Sequence, residues 1–251
     1  MRVQFLIAGV QKAGTTALDR FLRQHAYLSL PSRKEVHFFD NEQINWQQPD
    51  YREYHRFFSE KPGQISGEAT PIYTYWPPSL ARIHAYNPDM KLIVCLRDPV
   101  ARAYSHWEME VSRGYENLKF RAAIRKGRSR VTGDERSLAG AHRVYSYVER
   151  GFYSAQIERL LELFPRENLL FLENSHIKNN LKDVLNTITD FLHVPAYQTY
   201  PENKIILPTQ KRQNLGSISE EDKAYLAGLY RDDTKKTARL TGLDISHWAR
   251  A

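Results

Sequence analysis

The segment that most restricts this chain lies at its start: an apolar run over residues 3–8 gives way to Gly9, Val10, Gln11, Lys12, Ala13, Gly14, Thr15 and Thr16. The run is short and contains β-branched and aromatic side chains, so it reads as a buried strand. Ala17, Leu18, Phe21 and Leu22 then fall on one face at helical spacing, which predicts a helix from Thr15. A strand, a glycine-bounded loop and hydroxyl residues opening a helix together suit phosphate. Backbone N–H groups at the helix start face the loop, the helix dipole adds partial positive charge, and hydroxyls donate further bonds. Gly9 and Gly14 have the spacing of the ends of a nucleoside-triphosphate P-loop, but that loop carries lysine directly after its second glycine. Here Thr15 stands in that place and Lys12 lies inside the loop, which disfavours an ordinary ATPase or kinase. The plain alternative is a glycine turn that holds no ligand.

A second strand is predicted over Lys91–Leu96, followed by Arg97, Asp98 and Pro99. Pro99 suits a helix start, and Val100, Ala103, Tyr104, Trp107 and Val111 make one apolar stripe. Open α/β sheets bind ligands at the C-terminal ends of their strands, where Arg97 emerges. Ser105 follows about two helical turns later. A guanidinium and a hydroxyl converging there suit a second, separate phosphate. Asp98 has two readings: a magnesium-binding acid at a strand end, or a cap for the following helix. The cap is the better one, because Arg97 separates the acid from the strand and the first loop lacks its usual lysine.

The 251 residues suit a single α/β domain spanning 1–251, without linker, repeat or low-complexity tract. The expected architecture is a three-layer α/β/α arrangement with a mostly parallel central sheet and a P-loop-like first crossover. A formal charge of +7 favours anions at the surface, and nucleic acid, an acidic glycan, a nucleotide or an anionic membrane would all satisfy it. Cys95 is the only cysteine, so no intrachain disulfide forms and a reducing compartment is the simplest home. No apolar run reaches the roughly 18 residues of a membrane span. Arg2 and the run from Phe5 to Ala8 imitate a signal peptide, but the run is short and cleavage beyond it would remove the glycine loop. The expected location is cytoplasmic.

Together these residues resemble the PAPS (3′-phosphoadenosine 5′-phosphosulfate)-dependent sulfotransferase family. Residues Gln11 to Thr16 resemble its 5′-phosphosulfate loop, and Leu96, Arg97, Asp98 and Pro99 through Ser105 resemble its 3′-phosphate segment. Glu35, Val36, His37, Phe38, Phe39 and Asp40 agree with a third motif, and Gly151, Phe152 and Tyr153 with a fourth. The likeness runs from residue 3 to about 195, with an echo at Lys211 and Arg212, and is nearest to the glycan-type branch with heparan sulfate sulfotransferases and bacterial relatives. It implies that Lys12 contacts the 5′-phosphate and the oxygen bridging it to sulfur. Gln11, Ala13, Gly14, Thr15 and Thr16 complete the loop, and Arg97 with Ser105 holds the 3′-phosphate that distinguishes PAPS from ATP. Tyr153 is implied near the adenine, and Lys211 with Arg212 closes over the 3′-phosphate. Gln213 follows where the family usually has glycine.

Sulfuryl transfer needs in-line geometry, charge stabilisation on the leaving side and removal of a proton from the nucleophile. Lys12 can stabilise the leaving phosphate oxygen of PAP, so no metal is required, and no His, Cys or carboxylate spacing argues for one. Glu35 and His37 are two residues apart and would share one side of an extended strand. The resemblance implies a catalytic glutamate in this motif, so Glu35 is the candidate base, with His37 as understudy or acceptor-orienting residue. The alternative makes Glu35 a surface acid paired with Arg33 or Lys34. Ala69 stands where some glycan enzymes place a lysine, so glycosaminoglycan specificity does not transfer with the resemblance.

The aromatic segment 42–62 reads as an acceptor-facing lid or an ordinary packed stretch. Residues 119–143, rich in arginine, read as an acceptor-binding insertion suited to an anionic substrate or as a solvated basic face, with a flexible loop around 127–140. Helices are predicted over 152–164 and 181–192, flanking a strand at 169–172. Ser219, Glu220, Glu221 and Asp222 resemble a capping box that opens a helix. The acceptor is glycan-like or a small metabolite. Rivals are an ATP-dependent small-molecule kinase and a basic nucleic-acid-binding protein; no recognition motif supports nucleic acid as a partner.

Overall fold

The computed structural model describes residues 2–59, 61–131, 140–202 and 217–249. Its strands are β1 Phe5–Gly9, β2 Leu28–Ser29, β3 Ile65–Ala69, β4 Lys91–Leu96 and β5 Leu169–Glu173. Its helices are α1 Thr15–Leu22, α2 Tyr51–His55, α3 Pro77–Tyr86, α4 Pro99–Ser112 and α5 Phe120–Arg130, followed by α6 Ala141–Val144, α7 Ser154–Leu163, α8 Asn174–Asn179, α9 Leu181–Leu192 and α10 Glu220–Thr241. Packing divides the chain into two units, one of Met1–Leu96 with Arg159–Ile206 and the other of Arg97–Glu158 with Leu207–Ala251.

The first unit holds a five-stranded sheet in the order β2-β3-β1-β4-β5, with every described pairing parallel. Central β1 is buried at all five positions and apolar throughout, as a parallel strand covered on both faces must be. Because β1 lies between β3 and β4, the strand order reverses beside it. Such a reversal leaves a crevice at the C-terminal edge of the sheet. The residues meeting that edge are the ones after Gly9 and after Ala69, and Arg97 is bonded directly to the last residue of β4. Leu18, Phe21 and Leu22 of α1 are buried, as their spacing predicts. In α9, Leu181, Val184, Leu185, Ile188 and Leu192 do the same. The aromatics of 42–62 pack inward: Tyr54 stacks on Phe38 with ring centres 4.8 Å apart, and Trp46 meets Phe38 at 5.6 Å.

The second unit is built on α4, α5 and α10 around Val100, Ala103, Trp107, Phe120, Ile124, Tyr147, Leu226 and Tyr230. Asp98 caps α4, its carboxylate accepting the Val100 N–H at 2.8 Å. Ser219 caps α10 by accepting the Asp222 N–H. One expectation needs correction: α5 runs on to Arg130, through the first part of the stretch assigned to a loop; residues 132–139 lie outside the described set. Phe120, Ala123 and Ile124 supply a buried stripe that the surrounding arginines obscure in the sequence. Those arginines have acid partners. Arg121 and Arg125 meet Asp222 at 3.1 and 2.9 Å, Arg128 meets Glu149 at 2.6 Å, and Arg130 meets Glu116 at 2.7 Å. Opposite charges on packed elements thus use this basic face internally. Among the described residues no helix is long and apolar enough to cross a membrane.

Candidate active site

The loop after β1 turns through residues 10–14. Val10 N–H donates to the Cys95 carbonyl of β4 at 2.8 Å, and Ala13 N–H closes a turn onto Val10. Lys12 has φ +72°, a left-handed conformation that side-chain-bearing residues seldom adopt. Gly14, at φ +91°, caps α1 without a side chain. Helical geometry leaves the first-turn N–H groups of Thr15 and Thr16 without an intrahelical acceptor, so the end of α1 presents donors and the positive end of its dipole. Asn174, which follows β5, holds the loop from behind, its side-chain amide donating to the Ala13 carbonyl at 2.9 Å. A methyl at Gly14 would come within 2.6 Å of that amide nitrogen, so glycine is required there by contact as well as by backbone angle. Loops of this kind bind phosphate groups.

Glu35 and His37 form the second part of the site, at the C-terminal end of β3. Glu35 N–H donates to the carbonyl of Ala69, the last residue of β3, at 3.1 Å. Since β3 and β1 pair side by side and parallel, the Glu35 segment docked on the end of β3 and the Lys12 loop leaving β1 lie at the same sheet edge. The expected extended strand is absent: Glu35 has φ +60° and His37 φ +56°. Two left-handed residues, rather than strand alternation, bring the side chains together, with His37 Nε2 3.6 Å from Glu35 Oε2. Of the four described non-glycine residues with positive φ, three are Lys12, Glu35 and His37; the fourth, His193, ends α9. Such conformations cost roughly 1–3 kcal/mol and gather at functional sites.

The electrostatics separate the roles of the pair. His37 Nδ1 bonds the buried Asp40 carboxylate at 2.9 Å, and Lys34 pairs with Glu35. Burial opposes ionisation of Glu35, but hydrogen bonding to His37 and the Lys34 charge prevail and hold its carboxyl down at about 2. Burial likewise opposes a charged His37, yet Asp40 and Glu35 overcome it and raise the imidazole to about 9. At neutral pH Glu35 is therefore an anion and His37 a cation. Only the anion can take up a proton. Glu35 does pair with Lys34, as a plain surface acid would, but the His37 contact and the backbone conformation go beyond that reading.

Beneath this segment lies an acid that sequence reasoning left without a role. Glu68 of β3 is fully buried and accepts hydrogen bonds from Thr70 Oγ1 at 2.6 Å, Tyr73 OH at 2.8 Å and Tyr54 OH at 3.2 Å. Burial raises its pKa against those three bonds. Asn174 was also missed, because a lone asparagine after a strand carries no spacing signal. Asp40 closes the quoted motif, but its bond to His37 is visible only in the fold.

In the second unit, Arg97 begins the connection into α4, and Ser105 lies on α4; both are half-buried. Tyr153 is buried, and its hydroxyl donates to the Arg97 carbonyl at 2.7 Å. Asp233 of α10 accepts the Tyr153 N–H at 2.8 Å and the Ser154 hydroxyl at 2.5 Å, so α10 fixes the start of α7. Lys211 and Arg212 lie outside the described residues.

A glycine-bounded loop at a helix start, on a parallel α/β sheet and beside an ionised carboxylate, places the chain among α/β proteins with a phosphate-type loop. A family model described as "Sulfotransferase domain" matches residues 2–220, and the chain belongs to that family. Human heparan sulfate glucosamine 3-O-sulfotransferase 6 is 34% identical over 193 residues, covering 75% of this chain and 52% of the relative. The chain thus spans about half the length of that relative. A crystal structure of a sulfotransferase from Alicyclobacillus acidocaldarius superposes with a TM-score of 0.83 at 27% identity, over 100% of both chains. Mouse sulfotransferase SULT7A1, solved with PAP, shares the fold with a TM-score of 0.58 at 12% identity, over 95% of this chain and 86% of its own.

Proposed function

We propose that this protein transfers the sulfuryl group of PAPS to a hydroxyl, or an amine, of a glycan-like or metabolite acceptor. The observation that carries the reading is the placement of the Lys12 loop and the Glu35–His37 pair at the ends of adjacent strands, both in left-handed backbone. The named activity of the 3-O-sulfotransferase relatives supports an acceptor hydroxyl on a sugar, and the PAP complex of the mouse enzyme supports PAPS as donor. The family model passes through both units, which supports one functional domain over 1–251. The single cysteine, buried in β4, supports a cytoplasmic setting.

The residues divide the work. Gly14, Thr15 and Thr16 hold the 5′-phosphate through loop N–H groups and hydroxyls, with Gln11 and Ala13 shaping the loop. Lys12 neutralises charge on the oxygen that leaves sulfur, which makes a metal unnecessary for that step. The family resemblance assigns the 3′-phosphate to Arg97 and Ser105, the adenine border to Tyr153 and a further 3′-phosphate contact to Lys211 with Arg212. The acceptor oxygen or nitrogen forms a bond to sulfur as the sulfur–phosphate oxygen bond breaks. Glu35 receives the acceptor proton, while His37, cationic and held by Asp40, orients the carboxylate and the acceptor. Glu35 is held near 2 because the His37 hydrogen bond and the Lys34 charge favour its anion, which keeps it ready to receive that proton throughout the neutral range.

Thermal stabilisation by PAP compared with ATP plus magnesium tests the donor. PAP should raise the melting temperature, and Lys12→Ala and Arg97→Ala should each shrink that rise. A response to ATP alone overturns the assignment in favour of a kinase. With labelled PAPS and an acceptor panel, Glu35→Ala should abolish transfer while leaving PAP stabilisation nearly intact; unchanged transfer removes Glu35 as the base.

A further inference from the structure

Glu35 and His37 hold energetically costly backbone angles, so something must over-determine the segment that carries them. The first anchor is the Glu35 N–H bond to the Ala69 carbonyl. The second is less direct. Phe38 N–H, one residue beyond His37, donates to the hydroxyl oxygen of Tyr73 at 3.2 Å. Tyr73 is fully buried, and it gives its one hydroxyl proton to Glu68. A carboxylate accepts only, so Glu68 fixes the direction of that bond and leaves the lone pairs of Tyr73 for Phe38. Tyr54 and Thr70 occupy further acceptor positions on Glu68 and hold its carboxylate in place. Phe38 is also clamped by the Tyr54 ring, stacked at 4.8 Å.

We infer that Glu68 and Tyr73 are positioning residues for the reaction, fixing through the Phe38 amide the left-handed turn that sets His37 and Asp40 against Glu35. Neither residue touches the reacting atoms. Consecutive residues of β3 thereby secure both ends of the pair, Ala69 through its carbonyl and Glu68 through Tyr73. The inference rests on the reading of Glu35 as base for its kinetic consequence, but its structural content is independent of turnover. Loss of the anchor lets the turn relax toward ordinary backbone angles, which separates His37 from Asp40 and Glu35, the partners that raise its pKa.

Tyr73→Phe is the direct test, because it removes the hydroxyl and its bonds to Phe38 and Glu68 while keeping the ring. Ring titration of His37 by long-range proton–nitrogen NMR should fall by about half a pH unit or more from its wild-type value. The kcat for transfer from PAPS should fall roughly 10- to 100-fold, since small misplacements of reacting groups are costly. KM for PAPS and stabilisation by PAP should stay at wild-type levels. Glu68→Leu, which takes away the acceptor of the Tyr73 hydroxyl proton, should shift both quantities the same way and serves if Tyr73→Phe does not yield folded protein. Wild-type His37 titration together with wild-type kcat in either folded variant overturns the inference. A fully active Glu35→Ala would overturn the base instead, and the NMR measurement would still decide the anchor.

Discussion

Gly14→Ala probes how the phosphate loop is held. At φ +91° an alanine adopts a left-handed conformation that costs about 1–2 kcal/mol. The added methyl also meets Asn174 Nδ2 at 2.6 Å, closer than a Cβ approaches nitrogen without displacement. Asn174 is buried, so moving its amide breaks the bond to the Ala13 carbonyl and leaves buried polar atoms unsatisfied, at about 1–3 kcal/mol. The two terms together predict a loss of about 2–5 kcal/mol, a large share of the stability of a typical domain. In an Asn174→Ala background the obstruction is gone, because the next neighbour of the methyl is Ile177 Cδ1 at 3.9 Å, an ordinary contact. There the same substitution should cost only the backbone term of about 1–2 kcal/mol. Urea unfolding of the four proteins in the cycle measures the difference. Equal costs in both backgrounds, within about 0.5 kcal/mol, would refute the claim that Asn174 dictates the glycine.

Three further outcomes are expected. His37 is raised to about 9 from an ordinary 6.5, so its contribution to stability is complete below about 6.5 and disappears as pH rises through 9. Glu35, lowered from 4.5 to about 2, contributes above about 4.5 and loses that contribution as pH falls through 2. Urea midpoints of His37→Gln and wild type should therefore converge at alkaline pH, and a constant gap between them contradicts the pairing. Asp222→Ala removes a carboxylate shared by Arg121, Arg125 and Ser219, and should destabilise by about 1 kcal/mol in urea unfolding at low salt, with a smaller effect at high salt. Cys95 is buried, and burial pushes its thiol up to about 12, so a thiol reagent should modify it only at the rate of unfolding. Rapid labelling of the native protein would contradict that placement.

Much of the candidate site is written locally. The strand, loop and helix around Lys12 follow from apolar periodicity and two glycines, and the cap at Asp98 follows from an acid before Pro99; both depend on neighbours within a few residues. The extent of α5 was hidden, because salt bridges to Glu116, Glu149 and Asp222 draw on residues remote in sequence. Glu35 and His37 were legible as a pair but not in their geometry, since alternation along a strand and two left-handed turns both bring residues i and i+2 to one side.

The order of residues alone therefore determined which groups leave the first and fourth strands, and that one of them is a lysine inside a glycine loop rather than after it. Tertiary structure decided the rest. It placed Ala69 under Glu35, Tyr73 under Phe38 and Asn174 behind Gly14, across separations from 34 to 161 residues for the hydrogen-bonded contacts. The physical reason is that left-handed backbone and a paired, charged histidine are unfavourable in isolation. They persist only where distant buried partners supply the bonds that hold them.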